Sequence, residues 1–351
     1  MRVAIVGAGP GGLACALELE RRGIYPDIFE RSNRVGHLIP RVETLLQLFG
    51  RPPKNQLRYL AENYALEFQP LSPLRRVVMR TYRRSATVKG NLGFLVERGQ
   101  SEQSIEVQLF RKLRSGIKFD LEADFRTLAG EYNFVVVAEG NELAASELGL
   151  WETKLNAWIK GAIVLGRFTP GSVTIYFNTE YARHGFGSLK PFNRDRALLK
   201  LVIPGADRSQ ANEHWNYFTS LEKINLEVIE TFEMNYSTGL TSRRQVDNIL
   251  LAGASGGFTD SFLGLGLFAA LSSGVLAARA IAEGWDYEKL TAPLSNRTSR
   301  LIALRRIFNT LGNKEIDRLV HGITLPGIRQ VIYNTNLDII GMLCSLLDKP
   351  G

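Results

Sequence analysis

The apolar and polar positions predict an alternating α/β chain at the N-terminus. Residues 3–6 form a short apolar run rich in β-branched side chains, which reads as a buried parallel strand. Residues 13–22 place apolar positions at helical period, and Gly23 is set to end that helix. Residues 25–29 read as a second strand, followed by a polar loop over 31–40. A helical stretch is predicted over 42–49, closed by the break at Pro52 and Pro53. Residues 66–94 alternate in short β-like runs, for example 77–79 and 93–96, and Arg98 closes that region. A helix over 104–113 follows, with Ser101 or Ser104 as its cap, and then a buried strand over 134–138. From 158 to about 240 the chain is again β-rich, with strands predicted at 162–168, 173–177 and 198–203. The segment H-G-F-G-S-L-K-P, 184–191, is read as a connection between two of these strands. A strand at 249–252 leads through a glycine-rich loop into a small-residue helix running to about 283. Apolar stripes at 301–311 and 331–347 predict further helices, with packing on the chain's own core as the default for them.

The first strand and helix are joined by Gly7, Gly9 and Gly12 at G-x-G-x-x-G spacing. The first glycine allows a tight turn, the second lets backbone approach a pyrophosphate, and the third lets helix and strand pack closely. The helix N-terminus faces the negative charge. The second strand ends in Glu30, eighteen residues past Gly12, where a carboxylate accepts hydrogen bonds from ribose hydroxyls and repels a 2′-phosphate. Strand, helix and acid together point to an adenine dinucleotide, FAD or NAD rather than NADP. The acid and glycine after the 134–138 strand, Glu139 and Gly140, mark the edge of a nucleotide crevice in an open parallel sheet. Gly253, Gly256, Gly257, Gly264 and Gly266 form a second loop, too glycine-rich for ordinary packing and suited to backbone approach on a flat ligand. Two such loops at opposite ends of the chain suit FAD better than NAD.

Composition narrows the rest. The chain has 351 residues, of which 45% are hydrophobic and 22% charged, as in a globular protein of two domains or one α/β unit with an insertion. The motif starts at residue 3, so no signal or transit peptide is expected. No eighteen-residue apolar run predicts a membrane span. Two distant cysteines, Cys15 and Cys344, argue against disulfides, zinc and a redox dithiol and suit a reducing cytosol. A net charge of +8 suggests an acidic partner. The cluster of Arg75, Arg76, Arg80, Arg83 and Arg84 reads as a solvated face, and no nucleic-acid motif accompanies it.

Taken together, the strand-glycine-helix start, Arg98 ahead of a helix, F-V-V-V-A-E-G and I-L-L-A-G-A-S-G-G-F-T-D-S-F-L-G-L-G-L carry a family likeness. The chain resembles the geranylgeranyl reductase group of FAD-dependent oxidoreductases, related to the aromatic hydroxylase flavoproteins, over most of residues 1–290. The late segment matches the family pattern at Gly253, Gly257, Phe258, Asp260, Gly264 and Gly266, and 184–191 resembles a degenerate substrate-sheet motif. It departs from the pattern at Ala254, where the family has a ribityl-binding Asp, and at Ser261 and Glu139, which stand for Pro and Asp. The family's flavin-side cysteine is absent, and His37 and Arg41 occupy that region.

The resemblance implies an α/β fold class. A Rossmann-like FAD-binding domain with a mixed sheet (1–60, 95–155 and 241–285) would hold an inserted antiparallel β substrate domain (61–94 and 156–240). A helical C-terminal region (286–351) would complete it. FAD contacts are expected from Gly7, Ala8, Gly9, Pro10, Gly11, Gly12, Glu30, Arg31, Arg41, Arg98, Glu139, Gly140, Gly253, Asp260, Gly264, Leu265 and Gly266, with no metal. The implied activity is reduction of C=C bonds in a prenyl or lipid substrate. Electrons would come from NAD(P)H or a ferredoxin-like donor, in the cytoplasm or on a membrane surface. A flavin monooxygenase and a non-catalytic flavin- or lipid-binding protein are the alternatives. His37, and less so His184, are the candidate proton donors; no catalytic residue is assigned.

Overall fold

A computed structural model of the chain describes residues 1–50 and 55–325, together with 327, 330 and 332. Two sheets organise it. The first is built from β1 (Val3–Val6), β2 (Asp27–Phe29), β6 (Ile117–Lys118), β7 (Phe134–Val137), β13 (Gln245–Val246) and β14 (Ile249–Leu251), in the order β13-β14-β7-β1-β2-β6. All its pairings are parallel except the terminal β13–β14 hairpin. β1 and β14 are buried throughout because helices cover both faces. Val3 and Ile5 point into a core with the helices Pro10–Arg21 and Leu267–Glu283. Ala4 and Val6 point the other way, into a core with Phe125, Leu128, Ala144 and Ala145.

The second sheet contains β3 (Arg41–Leu46), β4 (Ser72–Thr81), β5 (Ser85–Arg98), β8 (Trp151–Leu165), β9 (Ser172–Phe177), β10 (Phe186–Pro191), β11 (Arg196–Pro204) and β12 (Glu227–Thr241). Its order is β12-β8-β11-β10-β9-β4-β5-β3, antiparallel at every step but β4–β9, which is parallel. One face packs on the helix Arg208–Leu221 through Phe218 and Ala211. The other packs on Phe308, Ile316 and Val320 from the helices Tyr287–Phe308 and Asn313–Thr324.

Four sequence expectations change. Residues 41–46 are not helical but form β3, with Arg41 opposite Arg98, Glu43 opposite Val96 and Leu46 opposite Gly93; only Gln47–Gly50 is helical. The edge of β5 supplies hydrogen bonds that a lone short helix lacks, and Val42 and Thr44 alternate with Arg41 and Glu43 as a half-buried strand requires. The segment read as a connection is itself β10. Its Gly187 is fitted against the Phe218 ring, where an added Cβ would come within 2.7 Å. The strand expected at 162–168 is longer and begins at Trp151. The helix at 301–311 ends at Phe308 as part of a 22-residue helix, and the stripe at 331–347 lies outside the described residues.

Candidate functional site

The C-terminal ends of β1, β7 and β14 open on a cleft of about 380 Å³ that reaches across to β3, β5 and β12. This is where an open α/β sheet leaves room for a ligand. Gly7 leaves β1 with φ +99°, and its N–H donates to the Phe29 carbonyl at 2.8 Å, tying the turn to the end of β2. A Cβ on Gly12 would lie 1.9 Å from the Gly7 carbonyl oxygen, so the helix can start this close to the strand only with glycine. Gly9 is different. A Cβ there would meet nothing in the protein nearer than 3.8 Å, so the space it leaves belongs to the cleft itself. Pro10 opens the helix without a surplus N–H. The Glu30 carboxylate accepts the Ala8 N–H at 2.8 Å and the Ser32 N–H at 2.9 Å, fixed at the cleft wall. Beside it, burial raises the Glu139 carboxyl above the usual range. Arg31 opposes that shift, and Glu147, Glu122 and Glu30 add to it.

Of the expected contacts, Gly7, Ala8, Gly9, Pro10, Gly11, Glu30, Arg31, Arg41, Arg98, Glu139, Gly140, Gly253, Gly264 and Gly266 line this cleft. Gly12, Asp260 and Leu265 do not. Gly12 serves helix–strand packing. The Asp260 carboxylate, 3% exposed, turns inward and accepts the N–H groups of Phe262, Leu263 and Leu265 at 2.8, 2.7 and 2.6 Å, so it shapes the loop. Gly256 and Gly257 are likewise packing residues, against the Leu251 carbonyl and the Thr241 amide. The Arg98 guanidinium is spent on protein partners, donating to Glu43 at 2.7 Å and to the buried Glu106. Arg41 is the freer cation: its Nε is buried without a hydrogen-bond partner, and burial and the Arg98 charge lower its pKa. His37 lines the cleft and accepts the Ile39 N–H on Nδ1 at 3.1 Å. Burial and Arg41 lower its pKa, so near neutral pH the ring is uncharged with its proton on Nε2. His184 lies outside the cleft. Cys15 is fully buried, with its thiol pushed far up by desolvation.

A second chamber, about 160 Å³, shares a wall with the cleft. β3 turns Glu43 to the cleft and Thr44 and Leu46 to the chamber. The following loop presents Gly264 and Gly266 to the cleft and Phe262, Leu263 and Leu265 to the chamber. The chamber lining is apolar apart from Thr44, Ser188 and Lys190. Sequence reasoning missed Lys190, Lys200 and Glu43. Their signal was a charged residue inside an apolar run, as in A-L-L-K-L-V-I and V-E-T-L-L. Among the described residues no group of three His, Cys, Asp or Glu side chains could hold a metal ion, and no helix is long and apolar enough to cross a membrane.

This is the architecture of a dinucleotide-binding Rossmann-like unit joined to a large antiparallel-rich sheet, with the ligand cleft between them. The model of the NAD(P)-binding Rossmann-like domain matches residues 5–75. Among solved structures, a geranylgeranyl bacteriochlorophyll reductase-like protein from Thermoplasma acidophilum superposes with TM-score 0.77 at 15% identity. The match covers 99% of this chain and 94% of that one. The flavin-dependent brominase Bmp2 gives 0.67 at 17% identity over 98% and 94%. A 2-methyl-3-hydroxypyridine-5-carboxylic acid oxygenase gives 0.58 at 17% over 95% and 95%. At these identities the likeness establishes the fold. No curated protein matches the chain.

Proposed function

We propose that the protein is an FAD-dependent oxidoreductase that reduces carbon–carbon double bonds in a prenyl or similar apolar chain. The observation that carries this reading is the shared wall: a glycine-lined dinucleotide cleft directly beside an apolar chamber. The residues present fit FAD. The vacant side of Gly9 leaves room for a pyrophosphate, Glu30 has lone pairs left for ribose hydroxyls, and the Arg41 side chain lines the cleft farther along. Three carboxylates, Glu30, Glu122 and Glu139, line the same end, where they disfavour a 2′-phosphate. The neighbours described as flavin-dependent agree with this cofactor.

FAD held by the Gly7–Gly11 turn and Glu30 would, once reduced, supply the hydride that an alkene needs. The chain's own part is positional. Leu74, Val77, Ile175 and Phe177 hold an apolar chain against the sheet and exclude water, while Gly264 and Gly266 keep the dividing loop thin. His37 presents its Nε2 side to the cleft, since its Nδ1 is held by the Ile39 amide, and serves as the acid only after taking up a proton from solvent. Electrons come from transiently bound NAD(P)H or a ferredoxin-like donor; the sequence contains no second G-x-G-x-x-G loop that would mark a resident nicotinamide domain.

The test has two stages. Purified protein is examined for flavin absorption before and after incubation with FAD; a protein that stays colourless ends the flavoenzyme reading. Flavin-loaded protein is then reduced with dithionite and offered prenyl diphosphates and prenyl lipids, with mass spectrometry reading the gain of two hydrogens. Bound flavin without saturated product rejects the reductase. Oxygen incorporation under NADPH and air would move the protein to the monooxygenases. Full turnover in His37→Ala would remove the histidine from the mechanism.

A further inference from the structure

The apolar chamber has a charged floor with no partner of its own. β10 and β11 pair with Ser188 opposite Lys200 and Lys190 opposite Leu198, so Ser188, Lys190 and Lys200 share one face of the sheet. Ser188 is 1% exposed and its Oγ has no hydrogen-bond partner; it and Lys190 line the chamber. The Lys200 Nζ lies 5.8 Å from the ring centre of Phe186, another lining residue. Among the described residues neither ammonium has an ion pair. The one carboxylate acting on both, Glu43, is already bound to Arg98 at 2.7 Å. Lys190 and Lys200 are half-buried, with Lys190 on the chamber wall and Lys200 beside it on the same face, and a cation held partly away from water without an ion pair is costly. Consistent with that, burial lowers the Lys190 pKa and, with the Lys190 charge adding to it, brings Lys200 down to about 7.

We propose that the chamber binds an apolar acid. Its carboxylate sits on Lys190, Lys200 and Ser188, and its hydrocarbon body runs along Val77, Ile175, Phe177 and Phe308 toward Ile316 and Val320. The charge count selects a carboxylate over a phosphate ester. Arg41, Arg98 and Lys190 against Glu43 and Glu106 leave one positive charge, to which Lys200, with its pKa near 7, adds only in part, so a singly charged acid meets the site more closely than a doubly charged phosphate ester. The proposal rests on the oxidoreductase reading in naming the substrate class of the same site, and binding can be measured without flavin turnover.

The experiment titrates the full-length protein, as purified, with decanoic acid, decanol and decyl phosphate by calorimetry. It is repeated on Lys190→Met, Lys200→Met and the double variant, which keep side-chain volume and remove buried charge. Decanoate is expected to bind about ten- to a hundredfold more tightly than decanol. The double variant should lose that margin while its affinity for decanol holds. Equal affinity for acid and alcohol in the unmodified protein overturns the proposal, whatever the variants do. Undiminished decanoate binding in a folded double variant also overturns it, and tighter binding of decyl phosphate than of decanoate overturns the choice of a carboxylate. A colourless protein that nonetheless binds decanoate through the lysines rejects the flavoenzyme reading and leaves the acid site standing.

Discussion

Arg98 shows how one side chain fixes the floor of the cleft. It reaches from β5 to Glu43 on β3 and to Glu106, whose side chain is 1% exposed, and so holds two strands and the following helix together. Removing it leaves the buried Glu106 carboxylate unpaired and takes one partner from the half-buried Glu43, and breaking a buried pair from one side costs about 3–5 kcal/mol. Arg98→Met is therefore expected to lose stability on that scale in urea unfolding. Arg98→Lys should recover only part of it, because an ammonium lacks the fork that serves two carboxylates at once. Lys200 makes a prediction with the opposite sign. Its ammonium faces Lys190 on β10, Arg41 and Glu43 on β3, with Arg98 and Tyr236 behind these, and its folded pKa is about 7. In the unfolded chain it holds its proton to about 10.4. Between these values the unfolded state binds the extra proton, so this group's contribution to stability rises with pH and its penalty is complete below about pH 7. Lys200→Met should accordingly stabilise the protein most at pH 6, and the gain should fall away by pH 10. A gain that is flat with pH in parallel denaturation curves would contradict the assignment. Neither lysine stood out in the sequence, because a single charge inside an apolar run looks the same whether it points to solvent or into a chamber.

At the scale of elements, the critical contact is between the first helix and Leu267–Glu283. A Cβ on Gly274 would sit 2.0 Å from the Gly11 carbonyl oxygen and 3.2 Å from the Cys15 amide, so the two helices meet backbone to backbone. The Gly253 N–H donates to the Ser273 Oγ at 2.9 Å, one residue away, so this crossing also anchors the late glycine loop. Gly274→Ala forces the helices apart. It should cost about 1–3 kcal/mol, as overpacking does, and it should weaken binding at the cleft, since both glycine loops hang on the contact. Unchanged stability and unchanged FAD affinity together would show that the crossing yields freely. The small-residue pattern of this helix was visible in the sequence, but its meaning was divided: Gly253, Gly264 and Gly266 face the cleft, whereas Gly256 and Gly257 pack on protein. The strand–glycine–helix–strand start was fully legible because each part constrains the next at short range. β3 was not. V-E-T-L-L-Q-L-F fits a helical stripe as well as a strand, and only the distant edge of β5 decides between them. β10 was hidden by Gly187 and Pro191, residues that mark loops locally but here meet the Phe218 ring and the end of the β11 pairing.

At the scale of the molecule, the cleft is assembled from segments more than two hundred residues apart. Gly7–Gly11 and Glu30 come from the start of the chain, Arg41, Glu43 and Arg98 from the second sheet, and Gly253–Ala270 from the return to the first. The fold class could be read from the sequence because each segment carries its own local pattern. The joint surface could not, since it exists only once β3, β5 and β12 have crossed to the open ends of β1, β7 and β14. A ligand that touches all three regions binds the folded chain and not the unfolded one. It therefore stabilises by mass action, by about 2.7 kcal/mol at a hundred times its Kd. FAD should raise the unfolding temperature of flavin-depleted protein by a few degrees, with one cooperative transition shifting as a whole. NADP⁺ should give no comparable shift, because its 2′-phosphate would meet Glu30 and Glu139. Glu30→Ala should reduce the FAD shift and also lower the ligand-free transition by a comparable few degrees, since Glu30 secures two turn amides and a hydrogen bond to a charged group is worth about 1.5–3 kcal/mol. If FAD moved only part of a split transition, the late glycine loop would not share the ligand with the early one, and the cleft would have to be treated as two separate half-sites.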